Sequence, residues 1–241
     1  MDGDNVDRKL RSALDLLQEI KERQKAPELR FKVVDKELYL IDYREQLRRF
    51  DVFVAGFNKV LYFDKNNTVY RDKLSKIVDA LDRMKPVRAV VSLRVDTVLW
   101  TGGKEVEVTS GIVVDIKEHE VFEDRLKAPV YIGRGLLGMT RSGKPRIRVD
   151  SEIYIIDDST RNGQRILSYD IQEEMDVLFS YSRVRNSAGY SVIEGVFVVP
   201  VAEAEAALSA EQQQMGSIEE IAEKAGVIIL RDEGEEGSGS G

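Results

Sequence analysis

Apolar residues recur at three- and four-residue intervals in a few places along this chain, and at alternate positions over most of the rest. Over residues 4–25 the stripe Leu10, Ala13, Leu14, Leu17 and Ile20 predicts an amphipathic helix, capped by Asp4 or Asn5 and ended by Pro27. "LRFKVVDKELYLID" alternates around an Asp-Lys pair and predicts a hairpin. "YREQLRRF" predicts a short helix, "DVFVAGF" a buried strand, and "KVLYFDKNNTVY" a second hairpin. "RDKLSKIVDALDRMK" carries Leu74, Ile77, Val78 and Leu81 on one side, which predicts a helix stopped by Pro86.

From Val87 to Val199 the period falls to two. "VRAVVSLRVDTVLW", "KEVEVTSGIVVDI", "APVYIG", "PRIRVDSEIYIID", "MDVLFSYSRV" and "YSVIEGVFVV" read as strands. "TGG", "STRNG" and "NSAG" punctuate them as turns. After Pro200, "AEAEAALSAEQQQM" and "GSIEEIAEKAG" predict helices, the second with a Ser217/Glu220 capping box, and "RDEGEEGSGSG" an acidic disordered tail. The expectation is an α+β protein. A mixed domain spans 1–85 and an antiparallel β domain spans 86–200, followed by a helical extension over 201–230 and a tail over 231–241.

Composition narrows the chemistry. The chain of 241 residues has no cysteine and one histidine, His119. Thiol nucleophiles, disulfides and multi-histidine zinc sites are therefore excluded. His119 stands between glutamates in "IKEHEVF", where a solvated turn position is expected. No apolar run is long enough to cross a bilayer and the N-terminus is too polar for a signal peptide, so a cytoplasmic protein without membrane contact is expected. The net charge of −7 argues against generic nucleic-acid coating.

"GRGLLGMTRSGKP" (133–145) is dense in glycine. Gly133, Gly135 and Gly138 spell G-x-G-x-x-G, and Gly138 to Lys144 spell G-x-x-x-x-G-K. Both patterns need a helix N-terminus to hold phosphate, but Pro145 and a strand follow instead. A tight turn between strands is expected, with no cofactor and no metal.

"LLGMTRSGKPRIRVDSEIYI" resembles the signature of FKBP-type peptidyl-prolyl isomerases, with Gly138-Met139, Gly143-Lys144, the strand through Arg146, Ile147 and Val149, and Glu152-Ile153 at matching places. "EHEVFEDRLKAPVYIGRG" and "MDVLFSYSRV" extend the likeness over roughly 104–185. The resemblance implies an FKBP-like β domain with a proline pocket lined by Phe122, Tyr131, Tyr154 and Ile155. The segment that carries the family's pocket-floor tryptophan is reduced here to "RGLL", and Trp100 lies far upstream. The implied isomerase is therefore degenerate, its activity weak or lost. The function expected is a folding or assembly factor that grips polypeptide. The alternative is a non-catalytic scaffold subunit that self-associates or joins a larger complex. A basic island from Arg125 to Arg148 (Arg125, Lys127, Arg134, Arg141, Lys144, Arg146, Arg148) offers a nucleic-acid surface as a third option.

Overall fold

The computed structural model describes residues 31–100, 104–169, 171–187, 189–207 and 209–210. Its chain runs β1 (Phe31–Glu45), β2 (Arg49–Val54), β3 (Val60–Asp64), α1 (Arg71–Asp82), β4 (Val87–Trp100) and β5 (Lys104–Val121), then a 3-10 turn at Arg125–Lys127. The second half runs β6 (Gly133–Met139), β7 (Pro145–Val149), β8 (Glu152–Ile156), α2 (Arg161–Ser168), β9 (Met175–Ser187) and β10 (Tyr190–Pro200), with a helical stretch over 201–207 and 209–210.

These strands close into two five-stranded barrels, β1-β2-β3-β5-β4 and β6-β7-β8-β10-β9. In each, the third and fifth strands pair in parallel, β3 with β5 and β8 with β10, and one helix joins the third strand to the fourth. Each half therefore has the five-stranded Greek-key connectivity of an OB-type barrel. The expected α+β class, with its mixed first domain and FKBP-like antiparallel sheet, gives way to a predominantly β architecture. β9 pairs with both β6 and β10, and β8 pairs with both β7 and β10, so the FKBP-like run closes into a barrel. The expected boundary at 85/86 falls within the first barrel, where Pro86 only connects α1 to β4. The helical extension is described through residue 210; the rest of it, the tail and the helix expected over 4–25 lie outside the described residues.

Local reasons for the differences are specific. Asp35-Lys36, read as a turn, sits mid-strand, because the ladder from Phe31 to Leu40 pairs residue by residue with Asp96 to Val87. "YREQLRRF" divides between the end of β1 and the start of β2, so no helix forms there. "KVLYFDKNNTVY" supplies one strand and a turn into α1, not a hairpin. "APVYIG" is irregular up to Gly133. "STRNG" opens α2: the Thr160 hydroxyl accepts from Gly163 N at 3.2 Å as an N-cap. His119 lies on β5, not in a turn. Burial and the nearby Lys76 and Lys73 charges lower its pKa.

α1 formed as its spacing predicts, burying Leu74, Ile77 and Leu81 in the first core with Leu40, Val52, Leu61, Phe63 and Val91. The second core gathers Leu137, Ile147, Ile156, Ile166, Val177, Phe179 and Phe197. It also takes in Ile41 and Met84 from the first half, so the two barrels share buried apolar contact.

Candidate functional site

The seam between the barrels begins with a bulge. The β1–β2 register slips between Leu40 and Asp42, which directs both Ile41 and Asp42 outward, toward the second barrel. Asp42 is fully buried there. Its Oδ1 accepts from Tyr43 N at 2.8 Å and from Asn162 N at 2.9 Å, while Oδ2 has no hydrogen-bond partner. Burial pushes the Asp42 carboxyl up to about 7; the nearby Thr160 hydroxyl and the backbone N–H groups draw it back only part-way. The Asn162 amide donates across the seam to Ile41 O and to Val196 O, each at 2.9 Å. Gly195, at φ +66°, lies directly against Phe53 of β2. Backbone contacts add Gly56 N to Tyr181 O at 3.1 Å, and the Ser182 hydroxyl donates to Phe57 O at 2.9 Å.

Charge rims this seam. Glu194 is buried and takes Arg183 and Arg185 as partners. Arg185 also reaches Asp157, and Arg44 of the first barrel lies 3.9 Å from both Glu194 and Asp157. In a cleft that Arg44 also lines, Asp82 accepts from Tyr43 Oη at 2.8 Å and Arg161 Nε at 2.7 Å. Burial would raise the Asp82 pKa, but these two donors outweigh it and hold the carboxyl below its usual range. Loop, strand and helix from both halves are thus fixed to one another.

The first barrel carries a second feature, an exposed apolar face. Phe31 stands opposite Asp96, Asp96 opposite Val108, Val33 opposite Arg94 and Val98 opposite Val106, so these side chains share one outward face of β1, β4 and β5. Phe31 is 58% exposed, with Val33, Val98 and Val108 also exposed, and Ile112 and Val114 continue the row along β5. The Arg94 guanidinium covers one side of the Phe31 ring at 4.7 Å and bonds Asp96.

The four residues expected to line a proline pocket are dispersed. Phe122 leaves β5 and packs on Tyr39, ring centroids 6.2 Å apart. Tyr131 donates to Arg125 O at 2.8 Å and packs on Phe197 at 5.9 Å. It lines an apolar pocket of about 220 Å³ with Leu126, Leu178, Ala204 and Ala207. Tyr154 stacks on Tyr181 at 6.4 Å, its hydroxyl held by Glu152, and lines a separate cleft of about 640 Å³ with Asn186, Tyr190 and Ser191. That hydrogen bond pushes the Tyr154 phenol up to about 12. Ile155 is half-buried, between Arg146 and Val192 in the ladder, and lines neither of these pockets. The glycine-dense stretch is β6, a turn at 140–144 and the start of β7, with Gly143 at φ +75°.

Most of the basic island is paired with carboxylates from outside it. Arg125 meets Glu203, Arg134 meets Asp176, and Arg146 and Arg148 both meet Glu174, at 2.7 and 2.5 Å. Arg148 and then Arg146 hold the Glu174 carboxyl below its usual range. Arg141 and Lys144 remain on the exposed 140–144 turn. Among the described residues no group of acidic, histidine or cysteine side chains is placed to hold a metal, and no helix is long and apolar enough to cross a membrane.

No protein-family model matches the chain, and no curated protein or solved structure matches it at a significant level. Sequence reasoning passed over Asp42, Asn162 and Gly195. One signal was there to read: Glu194-Gly195 interrupts the otherwise apolar run of "YSVIEGVFVV", and an isolated glycine in a strand marks a close approach of another backbone or side chain.

Proposed function

We propose that this protein is a non-catalytic assembly factor that grips another polypeptide on the outer face of its first barrel. The observation that carries this reading is the set of exposed Phe31, Val33, Val98 and Val108 on one outward face of three neighbouring strands, gathered around the Arg94–Asp96 pair. Single exposed apolar residues are ordinary, but several exposed on one face of neighbouring strands are a common signature of a protein contact. The polypeptide reading no longer leans on the FKBP-like signature, since Phe122, Tyr131, Tyr154 and Ile155 converge on no common cavity, and catalysis forms no part of it.

A second reading has one observation in its favour. On the outer face of β2 and β3 the Arg49 guanidinium lies 4.3 Å over the Tyr62 ring, on the strands that OB-type barrels use for oligonucleotides. Fold alone does not assign a ligand. Arg49 is already paired with Asp51 at 2.7 Å, and the net charge is −7.

The deciding experiment measures suppression of aggregation of a chemically denatured client by the full chain and by Phe31→Asp/Val108→Asp. Suppression that the double variant loses, with its circular dichroism unchanged, supports the polypeptide reading. Equal behaviour of the two proteins, or none from either, overturns it.

A further inference from the structure

We propose that Asp42 is a pH-operated latch on the joint between the barrels: protonated, it lets the seam close, and ionised, it favours their parting as folded units. This inference is independent of what the apolar face binds.

Three observations carry it. Asp42 is fully buried, and it lies where β1 meets α2 and β10. Its contacts are lopsided: Oδ1 accepts two backbone N–H groups, whereas Oδ2 has no partner. Among the described residues no cation forms an ion pair with it. A buried carboxylate without a counter-charge is strongly disfavoured, and the neutral acid is the form that such a site tolerates.

Most charges on the elements around it are engaged elsewhere, although the buried Nε and Nη2 of Arg44 make no hydrogen bond. On β1, Arg44 lies beside Asp157 and Glu194, and Glu45 pairs with Lys65. On α1 and α2, Asp82 bonds Arg161 and the Tyr43 hydroxyl. On β9 and β10, Arg183 and Arg185 hold Glu194. On β2, Arg49 holds Asp51, and on β4, Arg88 bridges Glu37 and Glu120. None of these arginines donates a hydrogen bond to Asp42 among the described residues.

In the parted state Asp42 meets water and titrates near the model-peptide value of about 3.9, whereas in the closed seam burial raises it to about 7. The closed state therefore holds one more proton between those limits. The opening equilibrium then rises about tenfold for each pH unit across that window and levels off above it. Asp157, Asp82, Glu174 and Asp176 have lowered values and act in the opposite direction only at the acid end, and His119, also lowered, lies on β5 near Lys73 and Lys76, so the comparison with Asp42→Asn isolates the Asp42 part of the slope between pH 5 and 7.

The chain has no cysteine, so a dye pair can be placed cleanly at Lys76→Cys on α1 and Arg141→Cys on the 140–144 turn, both exposed. Energy transfer across the seam is followed in urea from pH 5 to 9, with far-ultraviolet circular dichroism in parallel. The latch predicts that the dyes separate before the dichroism is lost, at a urea concentration that falls from pH 5 to 7 and is level above. Asp42→Asn removes that slope. Equal slopes in both proteins, no slope in the native sequence, or separation only together with loss of dichroism overturns the proposal. If Asp42→Asn fails to fold, the ¹³C shift of the Asp42 carboxyl decides: a midpoint near 7 supports the latch, and one below 5 overturns it.

Discussion

Gly195 of the second barrel is pressed so closely against Phe53 of the first that a Cβ added to it would come within 2.2 Å of the phenylalanine Cβ. Its φ of +66° is a second reason for glycine at this position. A strand glycine is usually a weakness. Here it lets two barrels share one apolar wall, and Phe53, on the outward side of β2, is completely buried as a result.

Gly195→Ala is accordingly expected to cost about 2–4 kcal/mol, from forced displacement of Phe53 together with a strained backbone. The loss is read as a lowered urea midpoint. Gly143→Ala is the control: its φ is +75°, but nothing lies within 4 Å of an added Cβ. It is expected to cost only about 1 kcal/mol. Equal losses at the two positions would show that Gly195 is constrained by its backbone angle alone.

Asn162 closes the same seam with polar groups. Its amide satisfies two buried carbonyls, one from each barrel, and Asn162→Ala leaves both without a donor. An unsatisfied buried acceptor costs about 1–3 kcal/mol, so a total loss of about 2–6 kcal/mol is expected for the two. Asn162→Asp should be worse at neutral pH, because it sets a second carboxylate beside Asp42 and has no N–H pair to offer. Its urea midpoint should recover as the pH is lowered toward 5.

The strand ladder was largely legible, since β4, β5, β9 and β10 fall on runs of alternating residues and β2 overlaps a run read as a buried strand; "PRIRVDSEIYIID", read as one run, is divided at Asp150 into β7 and β8. The barrels were not. Closure depends on β1 running unbroken through Asp35-Lys36, whose turn-like composition is overridden by pairing with Val91 and Ser92 of β4. α2 was hidden because Asn162-Gly163 reads as a turn. In the structure Thr160 caps that helix, and Gly163 is required because a Cβ would meet Asp157 O at 2.0 Å. Alternation says only which face of a strand a ring takes, not which rings meet across a closed barrel.

Tyr131 and Tyr154 give that last point a measurable form. They line different pockets and pack on different rings, Tyr131 on Phe197 and Tyr154 on Tyr181. A double-mutant cycle with Tyr131→Ala and Tyr154→Ala should therefore show a coupling below about 0.5 kcal/mol. Tyr131→Ala alone, which removes a half-buried ring from the second core, should cost about 2–4 kcal/mol in urea unfolding. Coupling above 1 kcal/mol would restore a shared site.

Glu174 neutralises the basic face of β7, because one carboxylate engages both Arg146 and Arg148 there. Removing it leaves those guanidiniums in line with Arg141 and Lys144 on the preceding turn. Glu174→Ala should change stability by less than about 1 kcal/mol, since the pairs are exposed. If the face is suited to phosphate, the variant should bind a single-stranded oligonucleotide several-fold more tightly than the native chain. Two added phosphate contacts on a single strand would steepen the salt dependence, by about 1.4 in the slope of log affinity against log salt. An unchanged affinity and slope would show that the arginines serve only the ladder of ion pairs, and would leave the apolar face of the first barrel as the binding surface to pursue.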